Sequence, residues 1–284
     1  MRLGVHLSIK NGFEGALIKA QAMGCDGFQI FAGNPRGWAR KPIDPTDIAA
    51  FKKSRLETKL WPIVVHLSYL PNPAAADNEL YQKSVQTLAE DFQRANLLGA
   101  DFFVFHPGKG KGAETNQAVK RVATAVNLVL DQIKGNTVLL FENQSGAGSE
   151  IASTFEDLAS LIEKVKYPDR VGICFDTCHA FAAGYDLSHP LGWDNTLADL
   201  QKYLGLNYLK LFHLNDSTGK IGSHLDRHQH IGKGFIGLKG FHYLMNHLEL
   251  TTIPGILETP QETPGDDLQN LSVLRNLVGK EVLI

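Results

Sequence analysis

Short, unbroken apolar runs recur along this chain, each followed by a longer stretch with helical spacing. The runs are LGVHLS (3–8), GFQIFA (27–32), PIVVHL (62–67), FFVFHP (102–107), TVLLFEN (137–143), VGICFDT (171–177), LKLFHLN (209–215) and IPGILET (253–259). They are rich in β-branched and aromatic residues and do not alternate with polar ones, the pattern of strands covered on both faces. From Asn78 to Leu98, Tyr81, Val85, Leu88, Phe92 and Ala95 repeat at spacings of four and three, while Lys83, Glu90 and Arg94 fall off that stripe. This predicts an amphipathic helix. The segment 153–165 begins like a capping box, with Ser153 as N-cap and Glu156 three positions on. A last helix is expected over about 265–278. Eight such runs alternating with helical segments predict an α/β fold, a (β/α)8 barrel forming a single domain over residues 1–284. A doubly wound sheet would call for a glycine-rich phosphate turn after the first strand, and HLSIKNG lacks that spacing.

Composition narrows the field only a little. The 284 residues, 43% hydrophobic and 20% charged, suit one large core. A net charge of −2 gives no global basic field, although a local basic face is compatible with it. The cysteines, Cys25, Cys174 and Cys178, are odd in number and predict reduced thiols rather than a disulfide framework. MRLGVHLS has no charged-then-apolar signal region, and no apolar run approaches ~18 residues. A cytoplasmic protein without a membrane partner is therefore expected.

The strand ends carry the chemistry. His66, His106, Glu142, Asp176, His213 and Glu258 close six consecutive runs, and in such a barrel these ends converge on one face. His179 lies just past the sixth run, and Asp226 and His228 lie in the loop after the seventh. A single catalytic zinc takes about three protein ligands. This larger set suggests a cluster of two or three metals, and its nitrogen and oxygen donors favour zinc or manganese over magnesium or calcium. One strand-end histidine is ordinarily a backbone-bonded residue, but carboxylates in succession at buried positions need partners. His6 ends the first run and belongs near the mouth. His189, His224, His230, His242 and His247 read as surface or loop residues. HPGKGKG (106–112) lacks phosphate-loop spacing and reads as a basic rim; GAGS (146–149) reads as a mobile turn.

FDTCHAFAAGYD, HLND, DRHQHIGKG, FHPG, FEN and LET resemble the signatures of the endonuclease IV family of apurinic/apyrimidinic endonucleases, in order and spacing from GVHLS to ILETP. The resemblance implies a barrel holding three zinc ions, with manganese as an alternative at one site. His66, His106 and Glu142 would hold the first, Glu142 with Asp176, His213 and Glu258 the second, and His179, Asp226 and His228 the third. It further implies hydrolysis of double-stranded DNA 5′ to an abasic site, leaving a 3′-hydroxyl and a 5′-deoxyribose phosphate; nothing in the sequence requires more than a monomer. Glu142 and Glu258 would act in catalysis, and Arg36, Tyr69 and Leu70 would enter the DNA. Arg36, Lys109, Lys111, Arg227 and Lys233 would supply phosphate contacts. Pro35 and Gly37 flank Arg36 where some relatives carry polar residues, and Leu67 follows His66 where some carry Asp; these departures bear on DNA contact and on hydrogen bonding around the metals. Two other readings stand beside this one, a metal-dependent sugar isomerase on the same barrel and a non-catalytic lesion-binding module.

Overall fold

In the computed structural model, which describes residues 1–112 and 114–279, every apolar run becomes a strand. The chain runs β1 (Leu3–Leu7), α1 (Gly12–Ala22), β2 (Gly27–Phe31), α2 (Pro45–Leu56), β3 (Ile63–His66), α3 (Asn78–Leu98), β4 (Phe102–Phe105), α4 (Thr115–Gln132) and β5 (Val138–Glu142). It continues with α5 (Phe155–Glu163), β6 (Val171–Asp176), α6 (Thr177–Ala183), α7 (Pro190–Tyr203), β7 (Leu209–His213), β8 (Asp216–Ser217), β9 (His228–Gln229), α8 (Gly237–Asn246), β10 (Gly255–Leu257) and α9 (Asp266–Leu277). All strands but β8 and β9 close into a parallel barrel in the order β1-β10-β7-β6-β5-β4-β3-β2. β8 and β9 pair antiparallel outside it. They are too short to leave a periodic signal in the sequence.

The apolar runs conceal a period of two. Val64 and His66, Val104 and His106, Leu140 and Glu142, Cys174 and Asp176, Leu211 and His213, and Ile256 and Glu258 are each two residues apart, so each pair shares the inner face of its strand. The first member of each pair joins an apolar cluster with Phe102, and this cluster fills the barrel beneath the second members. The alternate residues, such as Val65, Phe103, Phe141 and Phe212, belong to the larger core under the helices. Both faces are dry, which is why polar alternation is missing from the runs. Between β6 and β7 the register shifts at Ile173 and Cys174, after which Asp176 lies opposite His213.

Helix ends follow local chemistry. α3 starts where the Asp77 carboxylate accepts from the Leu80 N–H at 2.8 Å, and it stops at Gly99, whose φ of 69° suits glycine. The expected cap at Ser153 is displaced by one residue: the Thr154 hydroxyl accepts from the Asp157 N–H at 3.1 Å, and α5 spans Phe155–Glu163 rather than 153–165. The Phe155 N–H is already taken by the Tyr185 hydroxyl, and the first helical bond runs from Leu158 to Thr154. Among the described residues, no helix is long and apolar enough to cross a membrane.

The segment after β2 is tied down by a buried ion pair. Arg40 donates from Nε to Asp91 Oδ1 at 2.6 Å and from Nη2 to Oδ2 at 2.8 Å, and from Nη1 to the Gly37 carbonyl at 2.6 Å. The two side chains are 3% and 1% exposed. Removing one partner leaves the other charge buried alone, so Asp91→Ala should lower unfolding free energy by about 3–5 kcal/mol. Urea denaturation monitored by circular dichroism checks this; a loss below about 1 kcal/mol, the range of an exposed pair, would contradict it.

Candidate metal centre

Glu142 is the hub of the inward-facing residues. It is 0% exposed, and its Oε2 lies 3.0 Å from Nε2 of both His66 and His106. Its Oε1 lies 2.9 Å from Nδ1 of His213, which is also 3.2 Å from Glu258 Oε2. Asp176 caps α6: Oδ1 accepts from the His179 N–H at 2.8 Å and Oδ2 from Asn215 Nδ2 at 2.7 Å. Just past the sixth strand α6 begins, and its first turn carries His179 back over the mouth. His179 Nε2 then lies 3.1 Å from Asp226 Oδ1, with His228 Nε2 at 3.6 Å from the same oxygen and 3.7 Å from Asp176 Oδ2.

All nine sequence-selected residues thus meet at one mouth. Ligand-type atoms of Glu142, Asp176, His213 and Glu258 lie within 4.8 Å of one another, as do those of His179, Asp226 and His228, of His66, Glu142 and His213, and of His106, Glu142 and His179. The imidazoles are oriented as cation ligands are. His66, His179 and His228 point Nδ1 at the carbonyls of Leu67, Asn143 and Glu258, at 2.6, 2.9 and 3.1 Å. A carbonyl only accepts, so each Nδ1 carries a proton, and it is Nε2 that faces the cleft, where a cation would take its lone pair. His228 Nε2 is buried without a hydrogen-bond partner. An orphaned nitrogen beside two carboxylates, in a site crowded with imidazoles, fits a divalent cation. Cys178 lies near Asp176 and His228, but burial pushes its thiol well above the usual range, so it is a weak candidate for a thiolate ligand.

The field inside the cluster is strongly coupled. Burial works against the charged form of His179, yet Asp176, Asp226 and Glu142 hold its pKa well above the ordinary value. His213 and His106 are raised in the same way, against burial, with Glu142 acting on both. Burial would also raise Glu142, but the imidazoles of His213 and His106 hold it well below the usual carboxylate range. Asp226 is brought down to about 2 by His179 and His228, again against burial. The carboxylates thus favour positive charge at His106, His179 and His213.

A cleft of about 580 Å³ opens above these groups, walled by Phe31, Arg36, Tyr69 and Gln261 as well as by the ligand-type residues. Phe31 packs its ring against His6, His66 and Tyr69 with centroids 4.4, 5.8 and 5.1 Å away. Tyr69 is 66% exposed, and Leu70 and Arg36 are exposed beside it. Lys109 ion-pairs with Glu150 at 3.2 Å; Lys111, Arg227 and Lys233 are exposed. Sequence reasoning missed Gln29, Asn143 and Asn215. Gln29 is the one polar residue in its apolar run, and that isolation was the available signal. The asparagines follow catalytic-type residues in FEN and HLN and looked like ordinary loop polarity. Asn143 accepts the Asp176 N–H at 2.7 Å, and Asn215 accepts the Glu258 N–H at 3.0 Å.

Comparison with known proteins places this geometry. A family model described as a xylose isomerase-like TIM barrel matches residues 17–277. A probable endonuclease 4 of Halothermothrix orenii is 44% identical over 276 residues, covering 97% of this chain and 99% of that protein. Another, from Chloroflexus aurantiacus, is 42% identical over 279 residues and 98% of each chain. The crystal structure of endonuclease IV from Thermus thermophilus superposes with a TM-score of 0.87 at 38% identity over 98% of both chains. A D-tagatose 3-epimerase-like protein, with a TM-score of 0.73 at 18% identity, shares the barrel alone. By full-length identity to these relatives, and by the barrel on which its histidines and carboxylates converge, this chain belongs to the endonuclease IV family.

Proposed function

We propose that this protein is a zinc-dependent endonuclease of DNA repair that hydrolyses the phosphodiester 5′ to an abasic site, leaving a 3′-hydroxyl and a 5′-deoxyribose phosphate. The observation that carries the reading is the buried Glu142 carboxylate, ringed by His66, His106 and His213 at the floor of an open cleft. Three cations are assigned to it: one on His66, His106 and Glu142, one on Glu142, Asp176, His213 and Glu258, and one on His179, Asp226 and His228. Held there, divalent cations would supply Lewis acidity to a phosphodiester and a nucleophile at neutral pH.

The chain's own residues divide the remaining work. Glu142, fully buried and kept ionised by its imidazoles, fixes the spacing of the groups around it. Glu258, at the edge of the cleft and likewise held ionised against burial by His213 and His6, is assigned to position the attacking water and take up its proton. Arg36 supplies a cation for the minor groove, and Tyr69 and Leu70 offer exposed apolar faces to bases that have lost a neighbour. A nucleotide without its base costs less to extrude than a paired one, which favours the lesion over intact DNA. Lys111, Arg227 and Lys233 would meet phosphates along the strand, with double-stranded DNA as the partner. A metal-dependent sugar isomerase remains the competing chemistry on this barrel; the extra group of His179, Asp226 and His228 stands against it.

Incision of a duplex bearing one tetrahydrofuran abasic analogue is the direct test, because the analogue cannot be cut by β-elimination. A single cut 5′ to the analogue with a 3′-hydroxyl end is expected; no cut in the presence of zinc or manganese would end the proposal. Glu258→Gln keeps an oxygen donor but removes the proton acceptor, so incision should fall by about 10²–10⁴-fold while binding to the analogue persists. Normal cutting by that variant would remove Glu258 from its role.

Because the neighbouring carboxylates favour the protonated forms of His106, His179 and His213, cations binding there compete with protons. Affinity for zinc should therefore rise with pH and fall as the solution is acidified. Zinc titration calorimetry in buffers of different ionisation enthalpy should detect net proton release, and an affinity independent of pH would contradict these shifts.

A further inference from the structure

Three of the five imidazoles at the centre are oriented by main-chain carbonyls, but His213 is held in the opposite sense. Its Nδ1 faces Glu142 and Glu258, so its Nε2 points back into the barrel, where it lies 2.9 Å from Gln29 Oε1. Gln29 is on β2, which is separated from β7 by β10 and β1 around the ring. Its side chain is fully buried and crosses the barrel interior to make this contact.

The direction of the Gln29 amide follows from its neighbours. Glu258 Oε1 lies 2.6 Å from one end of the amide, and an ionised carboxylate only accepts, so that end is Nε2. The second hydrogen on Nε2 goes to His6 Nδ1 at 2.9 Å. Oε1 must then face His213, and it can be satisfied there only by a proton on Nε2. We propose that Gln29 is a positioning residue of the metal centre. Its amide clamps His213 and Glu258 together, so that His213 Nδ1 and Glu258 Oε2 aim at the same cation. His6, the polar residue of β1, completes the clamp by taking the spare amide hydrogen. This inference rests on the assignment of the second cation to Glu142, Asp176, His213 and Glu258.

Gln29→Met keeps the length of the side chain and removes every hydrogen bond. Competition against a chelator with zinc alone as the probe should show affinity weakened about 10- to 100-fold, in a metal-free Gln29→Met chain that still unfolds cooperatively above the assay temperature. Equal zinc affinity in the native chain and the variant overturns the proposal while leaving the metal centre intact. A native chain that binds no zinc instead overturns the metal assignment itself. Should Gln29→Met fail to fold, the native protein decides: in the zinc-loaded chain with isotope-labelled histidine, nuclear magnetic resonance should find a slowly exchanging proton on His213 Nε2. A proton on Nδ1 in its place excludes the clamp without any variant.

Discussion

A fully buried carboxylate is the constraint around which this molecule is organised. Glu142 has no contact with solvent, and an ion in that position is tolerated only when opposite charge and hydrogen-bond donors surround it closely. Three imidazoles do so from three other strands, at 2.9 to 3.0 Å. Each of those imidazoles needs its second nitrogen occupied, which recruits the Leu67 carbonyl for His66 and the Gln29 amide for His213. Glu258 is then drawn in by His213 and Gln29. The polar centre is thus one connected network, and losing a member leaves a buried neighbour unsatisfied rather than merely removing a contact.

The barrel gives this network a dry floor. Val64, Val104, Leu140, Cys174, Leu211 and Ile256 sit two residues before the polar members on their strands and fill the interior below them. Low local polarity strengthens the pull between Glu142 and the imidazoles of His213 and His106, which is why the shifts of these groups run toward charge on both sides in spite of burial. Above the floor the character changes. Tyr69 and Leu70 stand exposed at the rim, and the segment that carries Arg36 is anchored through Arg40 to Asp91 on α3. A fixed centre with an exposed, tethered rim suits a ligand that must be gripped from outside while one of its groups is drawn inward.

Much of this was legible in the sequence because one geometrical fact links the levels. Strand ends in a parallel barrel converge, so six polar residues closing six apolar runs could be read as one site before any coordinates. Gln29 escaped that logic because it lies mid-strand, where apolar flanks on both sides gave no hint of which neighbour would need it. The start of α5 escaped for a local reason: Ser153 and Thr154 are both good caps, and the Tyr185 hydroxyl, thirty residues away, decides between them by occupying the Phe155 N–H. The pair β8 and β9 depends on Asp216, whose carboxylate accepts N–H groups from Ser217, Gly232, Gly234 and Ile236. No hydrophobic pattern encodes that arrangement, since a carboxylate among backbone amides organises the loop.

The same loop region completes the cluster at the barrel mouth. Proteins at 18% identity have the fold without any claim on the chemistry. Here β7 is followed by an exposed excursion that returns at β9, and it brings Asp226 and His228 beside His179 on α6. Asp226 is 44% exposed while His179 is 3% exposed, so this group straddles the boundary between the dry floor and solvent. Glu142 and His213, by contrast, are both without solvent contact. The outer group therefore meets water, whereas the residues around Glu142 are held by the network itself. The barrel therefore provides the inner part of the centre through strand parity alone, and the outer part comes from α6 and the β7–β9 excursion.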